Sequence, residues 1–81
     1  VSALSRYRER LAVDPLTLNQ LGAIHRRFAA LGLDEHRDRP ARLAITARLA
    51  GVPEVGSTKE LTMGEAGRVI RSLDRLLAGA P

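Results

Sequence analysis

Apolar residues recur along this chain at intervals of three and four and never alternate over the length of a strand, which predicts helices throughout. Segment 2–12 places Leu4, Tyr7 and Leu11 on one face, with Ser2 able to cap it and Arg6, Arg8 and Arg10 opposite. A second helix runs to about Leu31 with Leu21, Ile24, Phe28 and Leu31 as its buried stripe. Its start can be written in two ways. Asp14 can be the N-cap with Pro15 at the first helical position, or Thr17 and Gln20 can form a capping box. Gly32 suits the left-handed residue that ends it.

The polar stretch 34–40 leads, through a turn of its own and an Asp38 N-cap with Pro40 in the first turn, into a third helix over 41–50. That helix is apolar on two sides, Leu43, Ala47 and Ala50 on one and Ile45 and Leu49 on the other, which predicts a central place in the bundle. Gly51 and Pro53 stop it. The phrase "STKELT" (57–62) then reads as a two-stage start. Ser57 and Glu60 box one turn, Thr62 and Glu65 box the next, and Leu61 plugs the core between them. The last helix carries Met63, Ala66, Ile70, Leu73 and Leu77, a stripe broadened by Val69 and Leu76. The expected architecture is all-α, a compact bundle of about four short helices.

Eighty-one residues suffice for one small domain, 1–81, and not for two. Val1 in place of Met reads as a fragment of a longer protein or a processed start. With no cysteine, disulfides, zinc-thiolate sites and cysteine nucleophiles drop out together. No apolar run approaches the roughly 20 residues of a membrane span, so a cytoplasmic domain is expected.

Charge adds functional content. Thirteen basic residues against nine acidic ones give a formal net charge of +4, and every basic residue except Lys59 is arginine. Arginine suits phosphate because its planar fork donates two hydrogen bonds at once. An arginine-rich, alanine-rich codon usage accounts for the same composition, so charge permits a nucleic-acid partner without requiring one.

The run "TLNQLGAIHRRFAALGL", a charged connector, a short helix ending in Gly51 and then "STKELTMGEAGRVIRSL" resembles the small helical domain of the GemA family of Mu-like phage regulatory proteins. Similar modules form tails on phage-type recombination and replication proteins. The matching residues are Thr17, Gln20, Ile24, His25, Leu31-Gly32-Leu33, Ser57 through Thr62, Glu65-Ala66, Val69-Ile70 and Leu73. The resemblance covers about 16–77 and leaves 1–13 as an additional N-terminal helix. "GEAG" (64–67) departs from it, because two glycines weaken a helix interior. It implies an association with DNA metabolism and carries over no catalytic residues.

Candidate surfaces follow from helical spacing. Arg68, Arg71 and Arg75 form a basic ridge at i, i+3 and i+7, able to lie along a phosphate backbone; a solvated helix face is the other reading. Arg26 and Arg27, with the arginines at 37, 39, 42 and 48, offer a second patch, and Lys59 is a further candidate nucleic-acid contact. Arg42 and Arg48 flank Ile45 and Leu49, where they either cover that face with their stems or border a partner-docking surface. The linker between the second and third helices is too long for a helix-turn-helix unless part of it is helical. Phe28 belongs to a core stripe, which leaves Tyr7 alone for base stacking. His25 reads as a packing residue at a stripe edge, and His36 lies in the connector. Asp34, Glu35 and Asp38 lack calcium-loop spacing. No nucleophile elbow or phosphate-binding glycine loop is present, so no catalytic residue, metal or cofactor and no small-molecule substrate is expected. The expected function is weak, non-specific nucleic-acid association tethering a DNA-processing protein; the alternative is protein docking or dimerisation through Ile45, Leu49, Arg42 and Arg48.

Overall fold

The computed structural model describes residues 14–79. The helix expected over 2–12, with Tyr7 and its arginines, lies outside the described residues. Three α-helices, α1 (Leu18–Ala30), α2 (Arg39–Ala50) and α3 (Met63–Leu77), and a 3-10 turn, Thr58–Glu60, make up the regular structure. The class is all-α, and the expected count of about four becomes three among the described residues. None of these helices is long and apolar enough to cross a membrane.

The starts of α1 and α3 are both set by side chains that satisfy orphaned backbone groups. Of the two starts open to α1, the chain takes the second. Thr17 Oγ1 accepts from Gln20 N at 3.0 Å, and Gln20 Oε1 accepts from Thr17 N at 3.0 Å. Thr62 and Glu65 repeat this box at the start of α3. Asp14 is diverted from capping: its carbonyl accepts from Met63 N at 2.9 Å, while Leu16 N donates to Leu61 O at 3.0 Å. This pair of bonds brackets an antiparallel bridge of Pro15 with Thr62 that does not need the N–H proline lacks. Gln20 Nε2 adds a bond to Met63 O at 3.1 Å, so the two boxed helix starts are held side by side.

Helices α1 and α2 both close through a left-handed glycine. Gly32 has φ 84° and Gly51 φ 78°. In each case the next residue reaches back five positions, Leu33 N to Phe28 O and Val52 N to Ala47 O, both at 3.0 Å. The connector between them contains one closed turn. Asp34 Oδ1 accepts from the N–H groups of His36 and Arg37, and Asp38 N donates to Asp34 O. Asp38 occupies the N-cap of α2, but its carboxylate turns back to accept from Asp34 N at 2.7 Å instead of capping the helix. The Ser57–Glu60 box does not form either: Ser57 Oγ accepts from Lys59 N, because a 3-10 turn brings the nearer amide into reach.

The core consists of Ile24 and Phe28 from α1, Ala47 and Ala50 from α2, Val55 and Leu61 from the connecting segment, and Ala66, Val69 and Leu73 from α3. Leu61 is the expected plug, 1% exposed. Burying the Ile, Phe, Val and Leu side chains of this core contributes about 1.5–3 kcal/mol each. The central helix is α3, which packs on both α1 and α2, and not α2. The inward line of α2 is Arg42, Thr46 and Ala50, with Ala47 beside it, while Ile45 and Leu49 are half-buried at the edge of the core. Four expected stripe residues are exposed instead: Leu31, Met63, Leu76 and Leu77. All four lie at helix termini.

Candidate nucleic-acid interface

The outer face of α3 lies opposite Ala66, Val69 and Leu73, and it carries Arg68, Arg71 and Arg75, all exposed. The three side chains do different things. Arg68 Nη1 donates to Ala50 O at 3.2 Å, so it neutralises the carbonyl end of α2 and ties that end to α3. Arg71 folds back over Gly67, its Nη1 close to where a Cβ would stand. Arg75 occupies the last turn. Neither Arg71 nor Arg75 forms an ion pair among the described residues.

Arg26 and Arg27 are neighbours in sequence and part company in space. Arg26 is exposed on the outside of α1. Arg27 turns to α3, where Nε donates to Asp74 Oδ1 at 2.7 Å and Nη1 donates to Ala23 O at 3.0 Å. Lys59 is exposed on the 3-10 turn. Arg48 is exposed at the rim of an apolar groove of about 610 Å³ formed with Leu43, Val52, Pro53 and Val55.

Arg42 is 7% exposed, so its stem does not spread over the outer face of α2. Its guanidinium lies 5.1 Å from the Phe28 ring centroid, and Nη2 donates to His25 O at 2.9 Å. Arg42 Nε and His25 Nδ1 are buried without hydrogen-bond partners among the described residues. Arg42, Thr46 and Ala50 at i, i+4 and i+8 form a single inward row, a spacing visible in the sequence but masked there by the charge of its first member. Arg37 and Arg39 are exposed; Arg37 lies 3.8 Å from Asp38, and Arg39 Nη2 donates weakly to Gly56 O at 3.4 Å. In the connector, the N–H groups of Arg37 and His36 hold the Asp34 carboxyl below its ordinary range.

No family model, curated protein or solved structure significantly matches this chain.

Proposed function

We infer that this domain is a non-catalytic accessory module that holds a larger, phage-type DNA-processing protein on nucleic acid in the cytoplasm. The resemblance of residues 16–77 to the GemA helical domain supports the setting. The observation that carries the reading is the outer face of α3, where Arg71 and Arg75 are exposed and without ion pairs among the described residues. Two phosphate contacts of this kind give weak, sequence-independent attachment by counterion release. Arg26 and Lys59 extend the exposed positive surface.

The test is fluorescence anisotropy of labelled single- and double-stranded oligonucleotides at about 50 and 200 mM salt. Binding that weakens at the higher salt and is lost in Arg71→Glu/Arg75→Glu is the expected result. Arg68 is left intact because it also holds the end of α2. Binding unchanged in the double variant removes this surface from the reading.

A second reading, docking of another protein, draws on Leu76 and Leu77, which are 52% and 41% exposed on the last turn of α3, and on half-buried Ile45 and Leu49. A complex that survives salt and fails with Leu49→Asp in a folded protein selects it.

A further inference from the structure

Three adjoining cavities meet at His25 and Glu35. One of them, about 240 Å³, is lined by His25, Glu35, Arg39, Ser57, Thr58 and Lys59. A narrow neck lined by Arg42, Phe28 and Leu43, and by Arg39 and Thr58 in common with that cavity, lies behind it. Arg42 is more than nine-tenths buried and makes no direct ion pair among the described residues, the Asp34 carboxylate acting on it only through space. Burying a guanidinium costs free energy unless a counter-charge offsets it. Here the protein supplies one carbonyl, one aromatic face and the through-space charge of Asp34, and leaves Nε unmatched.

We propose that this cavity binds a phosphate group, with Arg39, Lys59 and the Ser57 and Thr58 hydroxyls as its donors and Arg42 as the buried charge behind them. The donors come from the start of α2 and from the 3-10 turn, with the His25 imidazole on α1 facing the same space. A donor set drawn from separate elements suits a tetrahedral oxyanion better than a planar carboxylate, which pairs with a single fork. Glu35 is the one acid on the cavity wall and opposes the ligand. The site does not depend on the outer face of α3, and so stands apart from the tethering surface proposed above.

The test is a titration of the 15N-labelled protein with inorganic phosphate at neutral pH, with sodium chloride at matched ionic strength as control. Saturable shifts at the amides of His25, Arg39, Thr58 and Lys59, absent with chloride, are expected. Arg39→Gln and Lys59→Gln are surface changes that keep the fold, and each weakens binding by about tenfold through loss of a charge-assisted bond. Glu35→Gln tightens it. A short oligonucleotide that shifts the same amides identifies a nucleic-acid phosphodiester as the source; shifts with inorganic phosphate alone identify a free phosphate. The proposal is overturned if phosphate leaves these amides unmoved, if chloride moves them equally, or if both glutamine variants bind as the parent does. Oligonucleotide binding that persists without these shifts, and falls only with Arg71→Glu/Arg75→Glu, overturns this site while leaving the tether intact.

Discussion

Arg27 Nε donates to Asp74 Oδ1 across 2.7 Å, joining the last turn of α1 to the last turn of α3, 47 residues apart in sequence. The two partners are not equivalent. Arg27 sits at the negative end of its helix dipole and favours it, whereas Asp74 sits at the negative end of its own and opposes it. The pair is also only partly shielded, with side chains 27% and 53% exposed. Arg27→Gln is therefore expected to cost more stability than Asp74→Asn. Urea unfolding of both single variants and the double variant should give a coupling of about 0.3–1 kcal/mol that shrinks as salt is added. Equal costs for the two single changes would mean the dipole contributes nothing here.

The two glycine classes should respond in opposite directions to alanine. Gly51 has φ 78°, where a Cβ is strained, so Gly51→Ala should destabilise by about 1 kcal/mol or more. Gly64 lies in the first turn of α3 with open space around its missing Cβ, so Gly64→Ala should stabilise by about 0.5–1 kcal/mol. Thermal unfolding of the two variants distinguishes them by the sign of the shift.

The start of α3 was legible in the sequence because its cap is local: Thr62 and Glu65 need only a three-residue spacing to satisfy one another. The same holds for Thr17 with Gln20, for Gly32 and Gly51 at helix ends, and for Leu61 between two starts. Long-range partners were not legible. Nothing local to Arg27 points to Asp74, and a charge at Arg42 argues for the surface until Phe28 and His25 are brought beside it. The apolar stripe of α3 extends past its buried stretch for a related reason. Periodicity shows which face of a helix is apolar but not how far along its length a neighbour covers it, which is why Leu76 and Leu77 are exposed. The candidate interface shares this limit. Helical spacing groups Arg68 with Arg71 and Arg75, and only the position of Ala50 O separates Arg68 from them.

Removal of the α3 capping box should be costly because it also anchors the bridge to Pro15. Thr62→Ala is expected to lose about 1 kcal/mol, against a few tenths for Ser57→Ala, whose single bond to Lys59 N is 3.3 Å long. Hydrogen exchange should locate the added fraying of Thr62→Ala at both Met63–Ala66 and residues 14–16. Fraying confined to α3 would show that the bridge stands without the cap.

The connector turn should loosen in acid. The Asp34 carboxylate accepts the N–H groups of Arg37 and His36, which lowers its pKa below the ordinary 3.8. Because the folded value is depressed, the turn's stabilisation is fully present above 3.8 and is lost as pH falls through the lower folded value. The His36 and Arg37 amide resonances should therefore titrate together with a midpoint below 3.8 while the core amides stay fixed. A midpoint at or above 3.8 would show that the carboxylate gains nothing from these bonds.

Arg42 offers the sharpest separation of stability from function. Its guanidinium is desolvated, bound to one carbonyl and stacked on one ring. That carbonyl belongs to His25 in the middle of α1, where it keeps its intrahelical partner whatever stands at position 42. Replacing the arginine by a flexible apolar chain therefore leaves no acceptor stranded and removes the cost of burying a charge. Arg42→Met should fall within about 1 kcal/mol of the parent in stability, on either side of it, because buried charges exchanged for apolar groups of similar volume are often neutral. Arg42→Ala, which opens a cavity beside Phe28, should cost about 2–4 kcal/mol. The difference between them, read by chemical denaturation, measures packing with the charge absent from both. If Arg42→Met were as damaging as Arg42→Ala, the charge itself would be holding α2 against α1 through Phe28 and the His25 carbonyl, and the need for an external anion at that cavity would weaken accordingly.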